Sequence, residues 1–306
     1  MIARPGQALL KLAAFVCVVG FAALGCSRGT IPILVGGDLL PSTLTAAAGV
    51  TRTPLYLFTP GPGFQFPHAV FGIPEGETLV IRQVAGVSGG AVGSLEFGQR
   101  GLALTGTTTS LGSSTWVEIR RPSGGTGWVP ALSLTQDVPP EAFCSDSRIE
   151  PLLAALRRTI ADRDGVGLQA IVSPRRGLAI RYDWWNPEVI FRPGDVATLF
   201  QANTEYDWGT QLSGGAIRGT AADVVVPRLD RIAAGEVVFA CNETRIGPAL
   251  REARWPSEYS NLNYSALFFP SQPGESEYAW TTWLVGIEYV DNQPYISRLV
   301  QLRAGI

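Results

Sequence analysis

The chain of 306 residues predicts a small all-β barrel followed by an α+β domain, behind a secretion signal and a spacer. Three observations carry this reading. Five short β-like runs separated by Gly and Ser/Thr turns crowd into 76–136, the pattern of a small barrel. Across 145–306 a helical repeat is followed by mixed strands and a closing antiparallel pair, which is an α+β order. Ahead of both, a short basic start with Arg4 and Lys11 precedes an apolar run of about 13 residues, where a membrane span needs ~20.

That apolar run is Phe15-Val-Cys-Val-Val-Gly-Phe-Ala-Ala-Leu-Gly-Cys-Ser27. Its end resembles a bacterial lipobox, although Ala23 stands where Leu is more usual. The resemblance implies that residues 1–25 are a lipoprotein signal peptide, that cleavage follows Gly25, and that Cys26 takes the lipid. The mature protein is then extracytoplasmic and lipid-anchored at the bacterial cell membrane. The other readings are an uncleaved anchor, or simple secretion with Cys26 incidental.

A hydrophobic share of 46% against 16% charged residues is ample for packed cores. Removing residues 1–25 takes away Arg4 and Lys11 and no acid, so the 24 basic residues become 22 against 26 acidic. Nothing in this balance points to nucleic acid. Lys11 is the only lysine, so every cation of the mature chain is an arginine, which reads as a compositional bias of the source. His68 is the only histidine, set in a Pro/Gly-rich stretch that reads as a loop. A zinc amidase needs more than one His, and a Ser/His/Asp or Cys/His hydrolase would have to use this one. A glycosidase working through two carboxylates is untouched by that argument.

Once Cys17 leaves with the signal and Cys26 is lipidated, Cys144 and Cys241 are the remaining thiols. Two cysteines outside the cytoplasm are candidates for one bridge. It would close a loop of about 97 residues, for roughly 4 to 5 kcal/mol in the chain-entropy picture. The alternative is two separately buried thiols.

Residues 26–75 read as a tether rich in Gly, Ala, Thr and Pro, with the aliphatic pieces Ile31–Val35 and Leu55–Phe58 as candidate edge strands. The five runs of the barrel are Thr78–Arg82, Ala91–Leu95, Arg100–Thr105, Thr115–Arg120 and Gly127–Val129. Leu79-Val-Ile-Arg82, Ala91-Val-Gly-Ser-Leu-Glu-Phe-Gly98, Trp116-Val-Glu-Ile119 and Gly127-Trp-Val-Pro-Ala-Leu-Ser-Leu134 together resemble the bacterial SH3 family. They depart from it at Gln83-Val-Ala-Gly86, where a Gly-Pro turn usually follows the Arg. The resemblance implies an SH3-like barrel acting as a non-catalytic module that holds wall peptides, glycan or an envelope protein. Trp116 and Trp128 are the candidates to line its shallow groove, against the plainer reading of core indoles.

Asp137-Val-Pro-Pro-Glu141 reads as a linker. Ile149, Leu152, Leu153, Leu156 and Ile160 recur at helical spacing after Asp146 or Ser147 as cap, with Val166 as a further candidate. Strands are expected at Gly167–Val172, Leu178–Asp183, Val189–Phe191, Glu236–Cys241 and Ser265–Phe269. A short helix is expected from Asp195 to Phe200. A second one follows the capping box Thr220-Ala-Ala-Asp223 and carries Pro227 as a candidate kink. Ala279–Val290 and Pro294–Leu302 form a closing hairpin.

Passages such as Val172-Ser-Pro-Arg-Arg-Gly177, Tyr206-Asp-Trp-Gly209, Trp255-Pro-Ser-Glu-Tyr259 and Trp280–Tyr289 resemble the C-terminal region of uncharacterised SH3-carrying bacterial lipoproteins. This resemblance implies an architecture, a cone-shaped sheet with a helix across it as in NTF2-type domains, and no catalytic residues. Tyr206, Asp207 and Trp208 are the best candidates for a polar group in an aromatic pocket, with Asp183 or Glu188 as a second acid. No nucleotide or metal signature is present, so neither a cofactor nor a metal is expected. Two functions follow: a lipid-anchored binding or scaffold protein, or a carboxylate-dependent wall hydrolase targeted by its SH3 module.

Overall fold

The structure is a computed structural model that describes residues 66–234, 236–249 and 253–304. All of these belong to one compact unit, Pro54–Ile306. The expected signal peptide, Cys26 and the two aliphatic pieces at 31–35 and 55–58 lie outside the described residues.

The first seven strands are β1 (His68–Val70), β2 (Thr78–Arg82), β3 (Ala91–Glu96), β4 (Leu104–Leu111), β5 (Ser114–Arg120), β6 (Thr126–Pro130) and β7 (Leu134–Gln136). Five of them form an antiparallel sheet in the order β3-β2-β6-β5-β4, whose outer strands are not bonded to each other, and β1 pairs separately with β7. Alternation explains the core beneath the sheet. Leu79 and Ile81 of β2, Val117 and Ile119 of β5, and Val129 of β6 all turn inward onto Leu95 and Leu134. Gly127 is required where β6 crosses β2, because a Cβ there would overlap the Ile81 side chain. The run expected at Arg100–Thr105 starts later, at Leu104, because Gly101 has φ of 74° and breaks the extended path.

Residues 66–71 depart from the tether reading. Phe66, Ala69, Val70 and Phe71 are all buried, and His68 sits inside β1 at 7% exposure instead of in a loop. The backbone explains it: His68 exchanges both hydrogen bonds with Leu102 while β1 pairs with β7. The linker reading of 137–141 is corrected similarly. Asp137 and Val138 are buried, and Asn263 donates to the Val138 carbonyl at 2.8 Å.

The remainder runs α1 (Pro140–Cys144), α2 (Ile149–Ala161), α3 (Gly165–Ile171), β8 (Leu178–Arg181), β9 (Glu188–Phe191), β10 (Glu205–Thr210), β11 (Ala216–Thr220), α4 (Ala221–Val224), α5 (Val226–Ala233), β12 (Val238–Cys241), β13 (Asn263–Phe269), β14 (Thr281–Val290) and β15 (Gln293–Arg303). Six strands make one sheet, β12-β13-β14-β15-β8-β9, antiparallel except where β15 meets β8. One face carries Trp283, Val285 and Ile287 of β14 and packs under α2, α3 and α5. Leu156 and Ile160 of α2 are fully buried there, each contributing about 1.5–3 kcal/mol. The other face carries Leu284, Val300 and Leu302 and is covered by Phe71, Tyr259 and Leu262. Asp291 and Asn292, both at positive φ, make the two-residue turn that joins β14 to β15.

Four expectations change here. Gly167–Val172 is mostly helix, not strand: Asp164 caps α3 by accepting from the Gly167 amide at 2.8 Å, and the missing Cβ of Gly165 lets the helix press on the Ala197 backbone. Val166 accordingly belongs to α3 and is exposed. Pro227 opens α5 instead of kinking one long helix. Finally, the strand expected at Glu236–Cys241 shortens to Val238–Cys241, and it is an edge of the sheet.

Candidate functional site: an arginine-lined cleft

A cleft of about 510 Å³ is lined both by turns of the five-stranded sheet's half and by residues on and beside the six-stranded sheet. The turn between β4 and β5 contributes Ser113 and Ser114, and the 3-10 turn after β6 contributes Leu132. From the C-terminal half come Arg175, Arg176, Ile190, Arg192, Pro193 and Arg298. Four arginines thus line the cleft, and among the described residues no carboxylate does.

Ser173 builds the turn that presents two of these arginines. Its hydroxyl accepts from the Arg175 amide at 3.3 Å and the Arg176 amide at 3.1 Å, and donates to Glu288 Oε2 at 2.7 Å. Gly177 closes the turn at φ of 73°, so near the Phe191 backbone that a Cβ would overlap it. Arg192 follows β9 directly and is exposed. Arg298 alternates with Val300 and Leu302 along β15 and so falls on the face that Phe71 and Tyr259 cover.

The four cations are not equivalent. Arg176 Nε pairs with Glu288 Oε1 at 2.8 Å, and its other nitrogens donate to the Leu132 and Leu134 carbonyls. Burial lowers the Arg176 guanidinium from its ordinary value, and Glu288 opposes that. Arg298 lies 3.5 Å from Glu188 and over the rings of Phe71 and Tyr259, with 6% exposure. Tyr259 in turn donates to Glu188 and is pushed up from its ordinary value by burial. Arg175 and Arg192, by contrast, pair with no carboxylate among the described residues.

Residues expected at a site lie elsewhere. Trp116 is 5% exposed, so it cannot line an open groove; Trp128 is half-buried on the same outer face of the sheet, where it pairs across to Glu118. Trp208 is fully buried and donates to the Gly219 carbonyl at 3.1 Å. Asp207 points the opposite way, exposed and 3.4 Å from Arg218 on β11. Tyr206 is half-buried against Phe191. Strand alternation therefore separates the polar group from the buried indole, and the expected aromatic pocket does not form. Asp183 is fully buried and accepts from Nε and Nη2 of Arg303 at 2.9 and 3.0 Å, and burial pushes its carboxyl up.

Two other clefts are chemically weaker. One of about 440 Å³ contains Arg228, Arg231 and Arg303, each already engaged, with Tyr182, the Pro270 carbonyl and Asp183 respectively. One of about 560 Å³ lies beside the Cys144–Cys241 disulfide under the exposed Phe239, without convergent cations. Among the described residues, no group of three His, Cys, Asp or Glu side chains could hold a metal, and no helix is long and apolar enough to cross a membrane. Set against known proteins, the chain matches no family, no curated protein and no solved structure.

Sequence reasoning missed the cleft. Its visible signal in the sequence is the pair Arg175-Arg176 inside Ser173-Pro-Arg-Arg-Gly177.

Proposed function

We infer that this chain is a lipid-anchored, extracytoplasmic protein of the bacterial envelope that binds a ligand without transforming it. In this reading the five-stranded sheet is an SH3-like module, and the helix α2 lying over the six-stranded sheet is the trait that supports an NTF2-like second half. The observation that carries the binding role is the cleft in which Arg175 and Arg192 remain uncompensated while Glu288 and Glu188 hold Arg176 and Arg298. Arg192 is exposed and Arg175 half-buried, so both guanidinium groups are open to a ligand that brings the opposite charge. The acids weighed for hydrolysis are committed differently: Asp183 to Arg303, Glu188 to Tyr259 and Arg298, Asp207 to Arg218. That favours a scaffold or binding role over wall hydrolysis, with wall peptide, wall glycan or an envelope protein as partner.

Pulldown of the full-length protein on purified cell wall tests this. Retention that is lost in Arg175→Gln/Arg192→Gln supports it, and release of soluble wall fragments overturns the non-catalytic part. The tether has its own test, because replacing Cys26 by Ser should release the protein from the membrane or stop its processing. Unchanged fractionation of that variant would end the lipoprotein reading.

A further inference from the structure

We propose that the cleft takes an extended peptide bearing two carboxylates that flank an aliphatic side chain; this rests on the binding role given to the cleft above. Charge sets the number of acidic groups. Glu288 and Glu188 balance Arg176 and Arg298 from behind, so Arg175 and Arg192 leave the site two positive charges in excess. Two carboxylates restore neutrality. Two phosphate groups, each near −2, would overfill it. Guanidinium and carboxylate are matched as planar forks, which lets each arginine read one acidic side chain with two parallel hydrogen bonds.

The walls set the rest of the ligand. Leu132 and Ile190 are 53% and 52% exposed and line the same cleft, together with Pro193. These surfaces suit an aliphatic side chain and give nothing to a polyphosphate or a bare sugar acid. Ser113 and Ser114, exposed at the β4–β5 turn, each offer a hydroxyl that can donate or accept, which suits the alternating N–H and C=O of a peptide backbone. The volume of about 510 Å³ falls within the ~300–1,000 Å³ of sites for ligands of this size. Arg176 serves the site indirectly. By bonding to the Leu132 and Leu134 carbonyls it fixes the wall from the first sheet against the arginines of the second.

Calorimetric titration of the full-length protein in detergent tests the assignment, using a capped Gly-Glu-Leu-Glu-Gly peptide as probe. Binding is expected, with an affinity at least tenfold weaker for the Gln-Leu-Gln version and several-fold weaker when Leu becomes Gly. Arg175→Gln and Arg192→Gln should each cost about tenfold, while raised salt weakens all binding. Among the described residues neither side chain has a carboxylate partner to lose, so both variants should keep the parent's melting temperature. No binding of the Glu-Leu-Glu peptide, equal binding by the arginine variants, or binding of tripolyphosphate in its place would overturn the ligand class. If cell-wall retention still depends on Arg175 and Arg192 while the peptide fails, the peptide assignment falls and the binding role stands. Failure of both assays removes both.

Discussion

Arg176 and Glu288 form an ion pair whose arginine side chain is 6% exposed and whose carboxylate is not exposed at all, with Nε 2.8 Å from Oε1. Taking one member away strands the other's charge in the interior, a loss of about 3–5 kcal/mol. Glu288→Gln and Arg176→Met should each lower stability in urea by that amount. The double variant Arg176→Met/Glu288→Leu should regain only part of it, keeping a deficit of about 1 kcal/mol for each carbonyl of Leu132 and Leu134 left without its donor and for the Ser173 hydroxyl left without its acceptor. Single variants within 1 kcal/mol of the parent would show that the pair contributes nothing.

His68 gives the fold a pH signature that can be isolated, because it is the one histidine in the chain. Burial above all, and then the nearby Arg175, lower it from 6.5 to about 4, while Asp137, Asp291 and Glu288 pull the other way. The native state therefore holds the imidazole neutral where the unfolded chain protonates it. This contribution to stability is intact above pH 6.5 and is lost as pH falls towards 4, in total roughly 3 kcal/mol. Carboxylates titrate in part of the same window, so the informative quantity is the difference between the parent and His68→Phe. Parallel stability curves for the two between pH 7 and 4 would refute the assignment.

What the sequence made legible follows from how local each signal is. Leu79 and Ile81 alternate within β2, and Ile149, Leu153, Leu156 and Ile160 share one face of α2, so a short window suffices. The hairpin of β14 and β15 is long enough to read through its bulge. α3 was hidden because Gly165-Val-Gly167 has poor helix propensity, and only the Asp164 cap and the approach to Ala197 make it helical. β1 needs β7, its partner more than sixty residues away, before His68 has any reason to be buried. The cleft was hidden for the same reason at larger scale. Nothing local says that Glu288 is committed to Arg176 and Glu188 to Arg298, and the difference between a solvated arginine and an unpaired one at a site lies in that commitment.

Cys144 and Cys241 are bonded, their Cα atoms 5.7 Å apart, inside the ~7 Å that a disulfide allows. The bond ties the end of α1 to β12, a four-residue edge strand that pairs on one side only, with β13. β12 exposes Val238 and Phe239, so packing holds it weakly and the crosslink does the holding. The bridged residues are 97 apart, which in the chain-entropy picture stabilises the fold by about 4 to 5 kcal/mol. Cys144→Ser/Cys241→Ser should lose stability of that order. Its β12 amides should exchange with solvent much faster than in the parent, while those of β14 at the sheet centre change only as global stability falls. In the native parent, neither cysteine should take up a thiol reagent before reduction, as mapped on labelled peptides so that Cys17 and Cys26 are counted apart. Labelling of both Cys144 and Cys241 without reductant would show the bond absent, and would return two free thiols to the cleft beside Phe239.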